Sequence, residues 1–376
     1  MSSGFVNPIT IKDAIDNIVD RTYLLPAIQR KFVWSSDQIE VLFDSIMRGY
    51  PINSFMFWEV KENKVKNEFK FYQFLTEYRQ FFKEDNPDID KKGYKDFKAV
   101  IDGQQRLTSL YIGLKGSFAY KLPRKWWYDN EENIPTRHLY LNLSNPLPEE
   151  NERQMTFDFQ FLTKQEIERK NASGDIWFKA NDILKFEKTN DLDNFIEESG
   201  WLSKTFTKDT IRQLRKVIFE EKLINYYLET TQEIDTVLDI FIRTNSGGEP
   251  LSFSDLLMSI TTAHWKSDAR KEIPDVVNKV FEIGNPGFLI NKDFVLKTCL
   301  VLFNDNIKFQ VKNFDQSNVI VFEQNWDRIK KSIIEAFTLL SNLGFNNHSL
   351  RAKNAAIPII FYIYHRGIET DINSPI

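Results

Sequence analysis

Apolar residues recur at helical spacing near the start of the chain. After Ser35, five of them fall on one helical face, which predicts an amphipathic helix that ends at Gly49. Ser35 and Gln38 have the spacing of a capping box, so the helix should begin there. Thr10 predicts a second capped helix, with three isoleucines on one face.

Continuous apolar runs predict buried strands, because a strand covered on both faces needs no polar alternation. Such runs occupy residues 23–25, 55–60, 97–101, 140–143 and 223–228. The first run is extended into Pro26, as the residue before a proline prefers. Beyond about residue 268 the pattern becomes helical, with helices expected at 294–303, 319–343 and 352–365. The pattern therefore predicts an α+β fold around a small sheet, followed by helices.

The strand at 97–101 gives way to helical spacing at Gly103, so a single tight turn should join the two elements. The helical pattern starts with Leu107 and ends near Gly113 or Gly116. Gly103 permits a backbone conformation that a side chain would forbid. The first-turn amides of such a helix point outward unpaired, and the helix dipole adds positive charge there. The turn is therefore a candidate anion site.

Two charged residues adjoin this turn. Arg106 lies in the first helical turn, where it should be exposed to the anion site and offer a bidentate fork. Asp102 is acidic at the rim, where a bound metal ion or an attacking water could use it. The alternative interpretation is structural: Asp102 caps the helix, Gly103 makes the turn, and Gln104 and Gln105 are surface residues.

Length and charge limit the protein class. The chain has 376 residues, enough for two ordinary domains. Apolar residues make up 42% and charged residues 27%, a composition typical of a soluble globular protein. The net charge is −4, with a pI near 5.8, so no global basic field holds DNA. Any DNA contact must be a local patch or belong to a partner.

Several kinds of site and location are disfavoured. The single cysteine, Cys299, lies in an apolar run and is predicted to be a buried core thiol; a lone cysteine excludes an intrachain disulfide. The four histidines lack metal-ligand spacing, and neither a Gly-x-Ser-x-Gly elbow nor a P-loop occurs. The N-terminus lacks an apolar signal segment, and the longest apolar run, at 355–364, is too short to span a membrane. A cytoplasmic location without membrane contact is expected.

Aromatic residues interleaved with charged ones mark residues 61–98, which we interpret as an insertion between two strands. Such residues either stack on nucleic-acid bases or pack against their own domain, and we expect packing. The same alternatives apply to Trp126, Trp127 and Trp177, for which we also expect burial.

Three motifs occur in order over roughly the first 260 residues. The middle one is DGQQRLT at 102–108. Upstream are PAIQRKFVW at 26–34 and SIMRGYPI at 45–52, and downstream is FIRTNSGGEPLS at 241–252. Together they resemble the N-terminal domain of GmrSD-type restriction endonucleases, a family in the wider ParB/sulfiredoxin-like group.

The resemblance implies a nucleotide-dependent domain of a phage-defence system that acts on modified DNA. The implied ligands are a nucleoside triphosphate, GTP-like, and Mg²⁺. A ParB/sulfiredoxin-like nucleotide-binding domain is expected at 1–267, with the insertion at about 61–98, and a helical domain at 268–376. In this family the nuclease often lies in a separate HNH-type domain, and no such motif occurs here. The expected partners are therefore a nuclease domain or subunit, and modified DNA bound directly or through a partner.

The predicted pocket draws on all three motifs. Its catalytic residues are Asp102, Gln105 and Arg106. Its nucleotide-binding residues are Gln29, Arg30, Gly103, Gln104, Thr108, Arg243 and Asn245. Asp102 and Asn245 would hold Mg²⁺, which takes oxygen ligands. Phosphoryl transfer depends mostly on positioning and charge stabilisation, which several arginines and Mg²⁺ can supply.

Three functions remain open at this point. The first is a nucleoside triphosphatase within a modification-dependent restriction system. The second is a non-hydrolysing sensor of nucleotide or modified DNA that regulates a separate nuclease. The third is a direct metal-dependent nuclease built on Asp102, against which the missing nuclease motif and the acidic charge balance count.

Overall fold

The computed structural model divides the chain into two compact units. Residues 1–67 and 71–241 form the first unit, and residues 68–70 and 242–376 form the second. The residues that the structure describes are 3–26, 31–68, 71–89, 95–233, 265–285, 287–305 and 316–366, together with Thr236, Val237, Ile240, Phe241, Arg243, Met258, Thr261, Ile307 and Phe314.

Strands and helices are mixed along the first part of the chain. Up to residue 233 the strands are β1 Gly4–Phe5, β2 Tyr23–Pro26, β3 Phe55–Val60, β4 Phe71–Tyr72, β5 Glu77–Arg79, β6 Phe97–Asp102, β7 Ser117–Ala119, β8 Thr136–Asn142, β9 Phe159–Leu162, β10 Trp177–Lys179 and β11 Tyr226–Glu229. The helices are α1 Ile11–Val19, α2 Ser36–Met47, α3 Asn63–Glu68, α4 Gln104–Lys115, α5 Lys164–Ala172, α6 Thr189–Glu198 and α7 Thr205–Phe219, with a 3-10 helix at Ala180–Lys185. The mixed α and β class predicted from the sequence is confirmed.

Six strands form the first sheet, in the order β1-β11-β3-β6-β2-β4. β2 runs parallel to β6 and β11 parallel to β3, whereas β3 and β6 are antiparallel. Tyr226 therefore lies opposite Phe55, and Asp102 opposite Met56. The carboxyl ends of β2 and β6 thus meet the amino ends of β3 and β11, at what we call the Asp102 end of the sheet. The opposite end, where β3 and β11 finish, is called the Gln232 end.

The second sheet has the order β10-β8-β7-β5, and β9 also pairs with β8. Buried apolar side chains from α1, α2, α4, α7 and both sheets form one continuous core. Helix α4 approaches its neighbours closely, since a Cβ atom at Gly113 would lie 2.6 Å from the Phe43 ring and 3.0 Å from a methyl group of Leu139. The helix that follows the Gly103 turn is therefore held by packing along its length.

Several predictions are confirmed at single residues. Thr10 and Ser35 cap α1 and α2 with complete capping boxes. Helix α4 ends at Gly116, one of the two glycines expected to end it. Cys299 is a buried thiol, and burial raises its pKa to about 12, so it is an inert core residue. The predicted strand at 223–228 begins later, at Tyr226, because Ile224 forms only an isolated bridge.

The second unit is helical in the part that the structure describes. Its helices are α8 Ala269–Phe281, α9 Lys292–Phe303, α10 Gln316–Gln324, α11 Trp326–Asn342 and α12 Ile357–Arg366, with a 3-10 helix at Lys353–Ala356. The single helix predicted at 319–343 is wrong, because Asn325 interrupts it. The backbone and side-chain amides of Asn325 both donate to the Val321 carbonyl and close α10. No helix among the described residues of either unit is long and apolar enough to cross a membrane.

The expectation of buried aromatic residues is correct in the strands and wrong in the loops. Phe71 and Trp177, which lie in β4 and β10, are buried. Trp126 and Trp127, expected to be buried, are exposed, as is Phe81. These three lie in loops that follow β5 and β7, where no strand or helix periodicity indicates which way a side chain points.

Candidate functional site

Gly103 forms the turn between β6 and α4. Its φ is 89° and its ψ is 10°, in the left-handed region, where residues other than glycine are disfavoured. A Cβ atom at this position would lie 2.2 Å from Cδ1 of Phe55. Both the backbone conformation and the Phe55 ring therefore require glycine here. The predicted strand-to-helix turn is confirmed.

The amino terminus of α4 has no side-chain cap, as is also the case for α6 and α7. Gly103 is its N-cap residue and supplies no side-chain hydrogen bond, whereas α1, α2 and α5 each carry a full capping box. The structural alternative in which Asp102 caps the helix is therefore wrong. First-turn amides of a helix have no partner within the helix itself. At α4 no side-chain cap covers them, so they remain available to an anion.

Arg106 ties α4 to the segment before β3. Its guanidinium donates to the carbonyl oxygen of Ile52 and, at 3.0 Å, to that of Ser54. A long contact of 3.5 Å joins Nη2 to a carboxylate oxygen of Asp102, and the Phe55 ring lies 4.6 Å below the guanidinium carbon. The SIMRGYPI motif at 45–52 ends with Ile52, whose carbonyl accepts this hydrogen bond from Arg106.

The burial and the hydrogen bonds of Arg106 determine how many of its N–H groups a ligand can use. Its side chain is only 16% exposed, so the expectation of an exposed arginine is wrong. Burial lowers the pKa of Arg106, and the nearby Asp102 acts in the opposite direction. A guanidinium has five N–H groups, and three are directed at Ile52, Ser54 and Asp102, which leaves two. The main role of Arg106 is therefore to position α4 against the segment before β3, and two of its N–H groups remain for a ligand.

Asp102 ends β6 at the rim of the site. Its side chain is 43% exposed, with one oxygen near Arg106. Among the described residues, no group of three His, Cys, Asp or Glu side chains is close enough together to hold a metal ion. Magnesium commonly binds one or two carboxylates together with substrate phosphates and waters. A single accessible carboxylate beside an anion site fits that pattern.

Gln105 connects the middle motif to the upstream one. Its Oε1 accepts the Val33 amide at 2.9 Å, and its Nε2 donates to the Lys31 carbonyl at 3.1 Å. Both ends of the carboxamide are therefore occupied by backbone more than 70 residues away in sequence. Gln105 acts as a clamp on residues 31–33, a role that no local sequence signal indicates.

Gln104 lies in the first turn of α4 and is buried, contrary to the surface position considered above. It is 3% exposed, yet neither Oε1 nor Nε2 has a hydrogen-bond partner. Thr108, one turn further on, and Ser109 are fully buried, and their hydroxyl groups also lack partners. Buried polar groups are nearly always paired, so the unpaired side chains of Gln104 and Thr108, one turn apart on the same face of α4, indicate an incomplete site. Sequence reasoning missed Ser109.

The upstream motif approaches the site through its flanks. Gln29 and Arg30 lie outside the described residues, so their predicted roles stay predictions. On one side of them, Pro26 ends β2 at the Asp102 end of the sheet. On the other side, Lys31 is held by Gln105. Both flanks of the motif therefore lie at the Asp102 end of the sheet.

Only Phe241 and Arg243 of the downstream motif lie among the described residues. The strand before it, β11, finishes at the Gln232 end of the sheet. Val237 and Phe241, of the predicted helical stripe, are helical and buried. Arg243 is an exposed helical residue of the second unit, and Asn245 lies outside the described residues. The part of the predicted pocket that rests on Arg243 and Asn245 stays a prediction.

Two comparisons with known proteins bear on this arrangement. Residues 11–262 match the family described as GmrSD restriction endonuclease, N-terminal domain, and this range is about two thirds of the chain. A stretch of 102 residues is 32% identical to the uncharacterized protein MJ0686 of Methanocaldococcus jannaschii. That stretch makes up 27% of this chain and 16% of the archaeal protein, so the likeness spans a small part of the relative's length.

Proposed function

The chain belongs to the family of GmrSD restriction endonuclease N-terminal domains, and we propose that it binds and hydrolyses a nucleoside triphosphate at the Asp102 end of the sheet. The observation that carries the proposal is the amino terminus of α4. This helix terminus lacks a side-chain cap, and it follows Gly103, a position that no other residue can occupy without strain. Its first turn contains Gln104, which is buried and has no hydrogen-bond partner. Uncapped first-turn amides favour phosphate oxygens.

The nucleotide-binding roles follow from the contacts. Phosphate oxygens would accept from the first-turn amides of Gln104 and Gln105 and from the free N–H groups of Arg106. The Gln104 carboxamide and the Thr108 hydroxyl would complete their hydrogen bonds with ordered water or with the ligand. Gln29 and Arg30 would close the pocket from the upstream motif.

The chemistry rests on Asp102. Its accessible carboxylate is suited to hold Mg²⁺, and the ion would neutralise charge on the phosphates. Asp102 can also orient an attacking water by accepting a hydrogen bond. Gln105, predicted as catalytic, is better assigned a positioning role, because Lys31 and Val33 occupy both ends of its carboxamide.

The family sets the biological context of the proposed reaction. A domain from the N-terminal part of a restriction endonuclease must be coupled to a nuclease, as another domain or as a separate subunit. We place nucleotide turnover upstream of cleavage of modified DNA, in a phage-defence system. With a net charge of −4, the chain would contact DNA through a local surface.

The test is nucleotide binding and phosphate release by the purified chain with each of the four ribonucleoside triphosphates and Mg²⁺. Asp102→Asn should lower turnover by about 100-fold or more while changing nucleotide affinity much less. Asp209→Asn is the matched control, because Asp209 is an exposed carboxylate in α7 with no described partner. It should behave like wild type.

Each result of this test has a defined meaning. Equal turnover in Asp102→Asn and wild type would exclude Asp102 from the reaction. Binding without phosphate release would favour the non-hydrolysing sensor. Cleavage of DNA by the isolated chain would favour the direct nuclease, and a wild type that binds no nucleotide would refute the proposal.

A further inference from the structure

Five aromatic side chains form an exposed surface at one side of the second sheet. Phe81 and Phe82 follow β5, and Trp126, Trp127 and Tyr128 lie in the loop between β7 and β8. Their exposed fractions run from 37% for Phe82 to 75% for Trp126. We call these five residues the aromatic surface. Such exposure of large rings indicates a binding surface, because water disfavours contiguous apolar area.

Three of the five rings contact one another. The Phe81 ring centroid lies 5.2 Å from that of Phe82 and 5.4 Å from that of Trp127. The exposed large apolar residues of both loops are all aromatic, with no leucine, isoleucine or valine among those that the structure describes. Flat rings without aliphatic neighbours offer stacking faces.

The loop that carries the tryptophans is held by its own hydrogen bonds. Nζ of Lys121 donates to the carbonyl oxygens of Leu122 and Lys125, at 3.2 and 3.1 Å. Arg79, in β5, forms ion pairs with Asp129 and Glu131 in the same loop. The rings are therefore presented to solvent by an ordered backbone, which reduces the entropy lost on binding.

Two positive charges in this loop have no carboxylate partner in the described part of the chain. Lys121 bonds only to carbonyl oxygens and lies 5.3 Å from the Trp127 ring centroid. Arg124 is exposed, has a φ of 63°, and makes no described hydrogen bond or ion pair. By contrast, Lys125 pairs with Glu132 and Lys83 with Glu77. Two cations without a carboxylate partner thus lie in the loop of the indole rings, although Asp129, Glu131 and Glu132 make the charge of the whole loop zero.

We infer that the aromatic surface binds single-stranded nucleic acid, with bases stacked on its rings and phosphates near Lys121 and Arg124. Stacking rings next to two cations that form no ion pair match an unpaired strand, which presents base faces and phosphates together. The inference rests on the proposed function for its partner, the DNA on which a restriction system acts. The inference adds to the proposed function a specific surface that holds an unpaired strand.

The first test is fluorescence anisotropy of a labelled oligothymidylate of about 20 nucleotides at low salt. Trp126→Ala and Trp127→Ala should each weaken binding about 5- to 150-fold, whereas Trp126→Phe, which keeps a ring, should retain most of the affinity. Phe281→Ala is the control, because Phe281 is an exposed ring on α8 of the second unit. Equal affinity of Trp126→Ala, Trp127→Ala and wild type would overturn the inference.

The second test separates the cations. Arg124→Ala should reduce the slope of log affinity against log salt by about 0.7, the value for one phosphate contact on a single strand. Lys125→Ala should change the slope much less, since Glu132 already neutralises Lys125. Identical slopes for Arg124→Ala and wild type would remove Arg124 from the surface.

Nucleotide turnover distinguishes this inference from the proposed function. Trp126→Ala should release phosphate at the wild-type rate in the absence of nucleic acid. A wild type that hydrolyses nucleotide yet binds no oligothymidylate would overturn the inference alone. A wild type that binds oligothymidylate but no nucleotide would overturn the proposed function alone.

Discussion

Each end of the six-stranded sheet carries a glutamine, and the two glutamines differ in whether their carboxamides form hydrogen bonds. At the Gln232 end, Oε1 of Gln232 accepts the amides of Lys61 and Glu62, and Nε2 donates to the Glu59 carbonyl at 2.7 Å. At the Asp102 end, Gln104 is almost fully buried and has no partner on either atom of its carboxamide. The chain's own groups satisfy Gln232, whereas Gln104 is left without a partner.

The difference between the two glutamines indicates that the fold is locally less stable at the Asp102 end. A satisfied glutamine joins the end of β3 to the segment after β11 and strengthens the fold. An unpaired buried carboxamide weakens it, by about 1–3 kcal/mol in comparable cases. Groups of this kind are retained where a ligand or ordered water completes them. The satisfied Gln232 is therefore structural, and the unpaired Gln104 supports the proposal that a ligand binds at the Asp102 end.

The largest effect on this comparison is expected from filling the turn at the Asp102 end. Gly103→Ala should destabilise the chain by about 2–5 kcal/mol, because left-handed backbone strain adds to overpacking against Phe55. Gly174→Ala has a similar φ of 90°, with no atom within 4 Å of the new methyl group, and should cost about 1–2 kcal/mol. Denaturant unfolding of both variants measures the difference. Equal losses would show that the Phe55 contact is unimportant.

The next effect concerns Arg106, which shapes the Asp102 end from the side of β3. Arg106→Ala should cost about 1.5–3 kcal/mol, since it removes charged hydrogen bonds to the Ile52 and Ser54 carbonyls. The control is Arg212→Ala, which breaks an exposed pair with Asp193 and should cost less than about 1 kcal/mol. Melting curves with and without nucleotide measure both changes. A cost for Arg106→Ala no greater than the control's would mean that the guanidinium is free for phosphate.

The turn itself could be predicted because its signals are local. Gly103 separates an apolar run from a helical pattern, and the Ser35–Gln38 box is complete within four residues. The contacts of the Gly103 turn could not be predicted, since Gln105 finds its partners 72 and 74 positions away. Polarity placed Gln104 on the surface, whereas tertiary packing of α4 buries it.

A smaller pair of effects, opposite in sign, tests the two glutamines directly. Gln232→Ala should destabilise the chain by about 1–3 kcal/mol, because it leaves the backbone groups of residues 59–62 without their partner. Gln104→Met keeps the volume and removes the unpaired carboxamide, so it should stabilise the chain by about 1 kcal/mol and weaken nucleotide binding. Unfolding and nucleotide titration measure the two quantities. A destabilised Gln104→Met would contradict the distinction between the ends.

The smallest effect is local and concerns the clamp on the upstream motif. In Gln105→Ala the Val33 amide loses its acceptor, so hydrogen exchange at Val33 should speed up about 5- to 10-fold, as expected for loss of one hydrogen bond of roughly 1 kcal/mol. The matched control is Gln38→Ala, which frees the nearby Ser35 amide from Gln38 and should leave Val33 unchanged. Global stability should fall by no more than about 1–2 kcal/mol in either variant.

The clamp also links exchange to function, because residues 31–33 lead directly from Gln29 and Arg30. If those two residues contact the nucleotide, Gln105→Ala should weaken nucleotide binding although the first-turn amides of α4 are intact. Added nucleotide should then slow Val33 exchange in wild type more than in the variant. Faster exchange with unchanged nucleotide affinity would show that the upstream motif does not contribute to nucleotide binding. The Gly103 turn would then hold the ligand without Gln29 and Arg30.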